Sequence, residues 1–555
     1  MPQRYYWWWQ SSRVIRDYGL QNNMLEIIDE FPAFSFILGD LHPHVLAIPF
    51  SLLSLSLALQ IFLEKRNRIT KIGPIEIALD GQTLLISAVV LGGLAFLNMW
   101  DFPMQMGMLL CAYIVRRIQS RGVDWNRLYE ALGLLIFLGA AVFLLYLPFF
   151  VSFSSQAKGF IPNLIFPTRG VQFWVMFAPL LVPIFIFLFF NRKWFYTSYP
   201  TTNEVKISPI KITLILFLLL FLSSLLYGWI LSFIPIVQQA ALGVLGSAQW
   251  GEIITAAFLR RIQQPGTLVT TFILCYLSLL ALKNFLVKEP TEGDSCDEDR
   301  HLDRQSIAYT TLLILIGTLL VIFPEFYYLR DQFGWRINTI FKFYYQAWIL
   351  WGIAAAYSSV LIWNFFRTRL SVFVRILWSI VFLMGLAYPI FMLPERTNSF
   401  NPDTWTLDGD VYVEKYLPDD APALRWLMDV DYGVIAEAVG PAYSSSGHGR
   451  VSVHTGLPTV LGWDNHERQW RGGSIEIGNR AFDIQTLYEV RDWEVARDIL
   501  RQYSIKYVYV GSLERSSYRV SEQKFIDHLT LIYQNPGVSI YQVPDYSVFP
   551  DTANP

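Results

Sequence analysis

Residues 210–235 read IKITLILFLLLFLSSLLYGWILSFIP, and this run decides the fold. One lysine stands near its start, and no other residue in it carries a charge. A helix crossing a bilayer needs about 20 mainly apolar residues, and this run exceeds that without a break. Comparable runs lie on both sides of it, at His44–Phe62, Thr83–Trp100, Pro103–Val115, Leu128–Val151, Val171–Phe190, Gly266–Val287, Ser306–Phe323, Gln346–Trp363 and Val372–Leu393. Together they predict ten spans, the third so short that it reads as a half-span or a re-entrant piece. Most are apolar all round, as burial in lipid or in a helical bundle requires.

Composition agrees. Apolar residues make up 53% of the 555-residue chain and charged residues 16%, where soluble domains carry about 25% charged. Charge is divided unevenly. From Pro394 onward there are 14 basic and 23 acidic residues, and before it 29 basic and 22 acidic, so the tail is acidic and the apolar part basic. No dense basic stripe exists, which excludes a nucleic-acid partner. Cys111, Cys275 and Cys296 show no metal-type or disulfide-framework spacing.

Lys and Arg collect in alternate short loops: Lys65, Arg66, Arg68 and Lys71; Arg116, Arg117, Arg121 and Arg127; Arg192, Lys193 and Lys206; Arg367 and Arg369. Under the positive-inside rule these loops are cytoplasmic. The acidic loop around Cys296 then lies on the same side and reads as a disordered linker. Residues 1–43, the turn at Asp101, the loops Ser152–Gly170, Ile236–Pro265 and Pro324–Tyr345, and the tail fall on the exterior. The domain reading is an exterior segment over 1–43, a transmembrane domain over 44–393 and an exterior α/β domain over 394–555. In the tail, Ala421–Met428 and Asp492–Tyr503 predict helices. Val434–Val439, Arg450–His454 and Lys506–Val510 predict strands.

Chemistry-bearing residues gather at the ends of spans. EFPAFSFILGDLHPH, residues 30–44, holds Glu30, Asp40, His42 and His44. An extended backbone puts Asp40, His42 and His44 on one face, where carboxylate and imidazole suit a divalent metal or proton transfer. In the plainer reading Asp40 caps the next helix and the histidines sit at the interface. Asp101, in NMWDFP, is either a second site acid or the cap of the following helix. The loop after Pro324 carries Arg330, Arg336 and Lys342 among aromatic residues. These cations suit a phosphate or diphosphate, or else snorkel to the interface. TGLPTVLGWDNHERQW, residues 455–470, brings Trp463, His466 and Glu467 together in the tail.

EFPAFSFILGDLHPHVLAIPF, NMWDFP, RINTIFKFYYQAW and TGLPTVLGWDNHERQW resemble the YYY-domain family of membrane proteins of archaea and some bacteria, which is grouped with the GT-C glycosyltransferases. The resemblance implies a GT-C-like helical bundle with a small C-terminal α/β domain, set in the cell membrane. It further implies a polyprenyl-phosphate sugar donor, an exterior acceptor, first-loop acids such as Asp40 and Glu30 acting as base or ligands to Mg or Mn, and later-loop cations holding the donor phosphate. It also implies a span before the first exterior loop; the chain opens without one, which reads as a truncated start or a wrongly chosen initiation site at Met1. A transporter or flippase of lipid-linked sugars, and a non-catalytic scaffold, are the alternatives. No internal repeat favours the transporter.

Overall fold

The computed structural model describes residues 7–39, 41–64, 68–72, 75–153, 159–196, 208–286, 298–331, 333–365, 369–402, 404–442, 447–471 and 473–544. Asp40 and the linker around Cys296 lie outside them. The chain forms two compact units, one of Met1–Phe153 with Ala157–Asn401, the other of Ser154–Gln156 with Pro402–Pro555.

The first unit is a helical bundle. Among the described residues, eight helices are long and apolar enough to cross a membrane: Pro43–Leu63, Trp125–Leu145, Gly170–Phe190, Pro209–Leu231, Gly266–Leu286, Arg304–Phe326, Ile337–Trp363 and Val372–Arg396. The other two expected spans are also helical. One is the 17-residue helix Gly81–Leu97. The other, expected to be a half-span, is the apolar centre of a 21-residue helix, Asp101–Arg121. At 1.5 Å per residue that helix is about 31 Å long, enough to cross a hydrocarbon core.

Burial separates inner helices from outer ones. Arg304–Phe326 is mostly buried, whereas few residues of Pro209–Leu231 and Val372–Arg396 are. Rows of exposed leucine and isoleucine, including Leu214, Leu218, Leu222 and Ile380, suit hydrocarbon rather than water. At the centre, Trp351 is fully buried and its Nε1 donates to the Ile314 carbonyl at 3.1 Å. Gly317 lies against the Trp351 indole, where a side chain would collide.

The expected loop Ile236–Pro265 is instead two helices, Pro235–Leu245 and Trp250–Gln263, bent by 45°. Leu20 N donates to Leu245 O at 2.7 Å, and Arg260 donates to Gly19 O at 2.9 Å. Both contacts tie the bent pair to the same short N-terminal segment, and taken as one span the pair would be a ninth among the described residues. A short hairpin in that N-terminal segment pairs Arg16–Tyr18 with Met24–Glu26.

The second unit has a four-stranded sheet in the order Val434–Ala436, Ile505–Val510, Ser539–Gln542, Thr530–Gln534. The first two strands are parallel and the other two pairings antiparallel. Helices Asp420–Leu427 and Trp493–Gln502 form as expected. The strand expected at Arg450–His454 is a helix, Arg450–Thr455. Glu437 explains the change: its carboxylate accepts from Val451 N at 2.9 Å and Ser452 N at 3.0 Å, capping the first turn. Beneath it Arg450 bridges Asp420 and Glu514 inside the unit.

Candidate functional site

Three helices meet at the end of the bundle that carries the N-terminal segment, each presenting polar side chains at turn spacing. His44 and Ser51 lie two turns apart along Pro43–Leu63. Asp101 and Gln105 lie one turn apart on Asp101–Arg121, and Lys342 and Gln346 one turn apart on Ile337–Phe365. Residues at such spacings share one helix face. Asn98, just past the end of Gly81–Leu97, donates to Asp101 Oδ1 at 2.9 Å. Gln105 Nε2 donates to Gln346 Oε1 at 2.9 Å, tying two helices below the charged groups.

The charges converge. Glu30 Oε2 stands 3.8 Å from His44 Nε2, and its Oε1 stands 3.6 Å from Arg13. Asp101 and Glu30 are the carboxylates whose fields act on the Lys342 ammonium. Lys342 also lies over the Phe341 ring at 4.4 Å, and Phe341 and Tyr345 both present edges to His44. Hydrogen bonding is left incomplete here. His44 Nδ1 and Nε2 and Gln105 Oε1 are buried without a hydrogen-bond partner, while Ser51 and Gln346 face the Asp101 carboxylate and Ser35 faces Tyr345. Such a group costs about 1–3 kcal/mol if nothing meets it, so His44 and Gln105 mark a place suited to a polar ligand.

Beside these groups runs an aromatic wall. Phe31 stacks on Trp348 at 5.7 Å and meets the edge of Tyr388 at 4.9 Å. Phe34 packs against Trp8 and Trp9. Trp348 Nε1 is a further buried polar atom without a partner, and Tyr388 lies beside Ser11. Aromatic faces with polar tips suit a sugar ring or an isoprenoid chain.

Several residues lie elsewhere than expected. Lys342 was placed in a loop ending at Tyr345; it is on the helix, which starts at Ile337. His42 and His44 do not share an extended strand: His42 stands at the residue before the short helix Pro43–Leu46 that contains His44, with ring centroids 5.6 Å apart. Asp101 is the first residue of its helix, and the cap position belongs to Trp100.

Arg336 is fully buried, with its donors committed. Its Nε and Nη2 donate to Asp17 at 2.7 Å each, and Nη1 donates to Glu325 at 3.1 Å. Burial alone would depress the guanidinium, but Asp17 and Glu325 outweigh it and hold the group above its ordinary range. This geometry makes Arg336 a cross-link between the N-terminal hairpin and the Pro324 region rather than a phosphate holder. Arg330 is exposed, its backbone N bonded to Gly159 O at 2.8 Å.

Trp463, His466 and Glu467 belong to the second unit. Trp463 Nε1 donates to His448 O at 2.9 Å, the Trp463 and His466 rings meet edge to face at 5.6 Å, and Glu467 accepts from Arg471 at 2.5 Å.

Among the described residues no group of three or more His, Cys, Asp or Glu is arranged to hold a metal ion. Asp40 lies outside those residues, so of the expected donor set the structure describes His42 and His44, the second walled by aromatic rings. Sequence reasoning passed over Ser51, Gln105 and Gln346. Their signal was there: uncharged polar residues at turn spacing from His44, Asp101 and Lys342, inside otherwise apolar runs.

A search of curated proteins finds no match to the chain. Residues 1–351, which hold every member of the converging cluster, match the family described as uncharacterized membrane protein, DUF2298. That match spans more than half of the chain, and the chain belongs to this family of membrane proteins.

Proposed function

We propose that the chain transfers a sugar from a polyprenyl-phosphate carrier to an acceptor hydroxyl at the exterior membrane surface. The convergence of Glu30 and His44 with Lys342, at one end of the bundle and against an aromatic wall, carries this reading. In the proposed step the acceptor oxygen attacks the anomeric carbon from the face opposite the phosphate. The carbon–phosphate-oxygen bond breaks with its electron pair going to the phosphate, and configuration inverts. Glu30 takes the acceptor proton, with His44 beside it. Lys342 neutralises the negative charge gathering on the leaving phosphate, the kind of interaction that strengthens in the transition state. The aromatic wall holds the carrier or the sugar face, and Asp101, Gln105 and Gln346 offer hydrogen bonds to sugar hydroxyls. Asp40, ten residues beyond Glu30 in the same stretch, is a second acid to test. A divalent metal enters no step.

Orientation supports the surface assigned. Arg68 and Lys71 follow the far end of Ile48–Leu63, Arg116 and Arg117 lie in the last turns of Asp101–Arg121, and Arg127 lies in the first turn of Trp125–Leu145, which suits a cytoplasmic face.

The test is incubation of the purified protein with labelled polyprenyl-phosphate sugars, following loss of donor. Glu30→Gln and Lys342→Met are each expected to slow that loss by roughly 10²–10³, while the thermal unfolding midpoint in detergent stays near the wild-type value. Wild-type turnover in both variants would remove these residues from the mechanism.

A further inference from the structure

A second polar region lies in the same unit and shares no residue with the cluster above. It is a cavity of about 300 Å³ lined by Arg16, Asp17, Tyr18, Asn22, the stretch Ile165–Pro167, Arg169, Arg260, Gln263 and Gln264. That volume is at the lower end of the roughly 300–1,000 Å³ range of small-ligand sites.

Its electrostatics are one-sided. Three guanidinium groups face one carboxylate, and that carboxylate, Asp17, is already gripped through both oxygens by Arg336. Arg260 is fixed in place: it donates to Ile165 O at 3.0 Å and Gly19 O at 2.9 Å, and also to Tyr18 O. Neutral carbonyls satisfy its hydrogen bonds without cancelling its charge. Arg169 lies over the Tyr18 ring at 5.1 Å, and its charge and that of Arg260 repel each other. Arg16 and Arg169 are exposed, so their donors are accessible from water.

Two helices add to the same field. Gly170–Tyr196 begins directly after Arg169, and Gly266–Leu286 begins two residues after Gln264. Their starts touch: a Cβ built on Gly170 would lie 2.7 Å from Gly266 Cα. Both positive helix ends are therefore held together beside the cavity. Asp17 offsets part of the Arg260 charge, and an anion relieves the remaining repulsion with Arg169. Guanidinium forks match the geometry of phosphate oxygens, and the amides of Asn22, Gln263 and Gln264 add neutral donors.

We propose that this cavity binds a phosphate group, either of a soluble phosphate or diphosphate or of an anionic lipid headgroup. The proposal is independent of the transfer reaction, since it is read by binding and needs no turnover.

The test uses the full chain in nanodiscs. In discs of phosphatidylcholine alone, pyrophosphate is titrated by calorimetry. In discs containing phosphatidylglycerol, retained lipid is counted by native mass spectrometry, with and without pyrophosphate. Saturable pyrophosphate binding in neutral discs identifies a soluble phosphate as ligand. Retained phosphatidylglycerol that pyrophosphate does not displace identifies a headgroup. In either case the double variant Arg16→Gln/Arg169→Gln should weaken binding by more than about tenfold, because charge-assisted bonds from two guanidiniums are lost. Arg519→Gln, an exposed arginine of the second unit, should change nothing. Absence of both ligands, or equal binding by the double variant and wild type, would overturn the proposal.

Discussion

Arg336 shows what a cation in an otherwise apolar region does when it is structural. It is enclosed completely, its fork meets Asp17 through two bonds of 2.7 Å, and Glu325 closes the third side. Thr168 N in turn donates to Glu325 at 3.0 Å, extending the network to the start of the next helix. Removing one member of such a network strands the others without water. Arg336→Met leaves two buried carboxylates unpaired and is expected to destabilise the first unit by about 3–5 kcal/mol. Thermal unfolding in detergent would read this as a large drop in midpoint, and an unchanged midpoint would contradict the network's role. Lys342 differs: its nearest charges are the acids of the proposed site, and its ammonium rests on an aromatic face. Nothing in the local sequence separates these two cations. Both lie in RINTIFKFYYQAW, and the partner that makes Arg336 structural is 319 residues away.

At the scale of elements, apolar length carried most of the information. All ten stretches read as spans are helical, because a long apolar run leaves the backbone no other way to satisfy its hydrogen bonds in lipid. Helix ends were harder. Ile337–Phe365 begins nine residues before the expected start at Gln346, since Arg336, Asn338 and Lys342 lower the hydropathy of its first turns while their partners on other segments keep them in place. Arg450–Thr455 reads as a strand from its alternating valines, and a carboxylate from a distant residue, Glu437, makes it a helix. Close approach of two helices was likewise invisible. Gly170 and Gly266 touch through backbone atoms, which no rotamer change can relieve. Gly170→Ala is therefore expected to cost about 1–3 kcal/mol of overpacking. Gly107→Ala, with nothing within 4 Å of the added carbon, is expected to be neutral or slightly stabilising by up to about 1 kcal/mol. Equal effects of the two changes on thermal unfolding would contradict the packing argument.

For the molecule as a whole, a helical membrane part followed by a small α/β part was legible from the apolar runs, the charge asymmetry and the succession of helix and strand in the tail. Convergence of the site was not. Glu30, His44, Asp101 and Lys342 come from four separate stretches, and only the packing of Ile48–Leu63, Asp101–Arg121 and Ile337–Phe365 at one end unites them. The central claim is that this end faces the exterior and receives a phosphate-linked sugar. Impermeant maleimide labelling of intact cells tests it directly, with Cys111, Cys275 and Cys296 replaced and single cysteines introduced as Leu41→Cys and Arg121→Cys. Leu41 is exposed beside His42, and Arg121 ends its helix at the opposite face. The account predicts that Leu41→Cys is labelled from outside, that added polyprenyl-phosphate sugar slows this labelling, and that Arg121→Cys reacts only after permeabilisation. Labelling of Leu41→Cys that requires permeabilisation, or that proceeds at the same rate with and without donor, would contradict it.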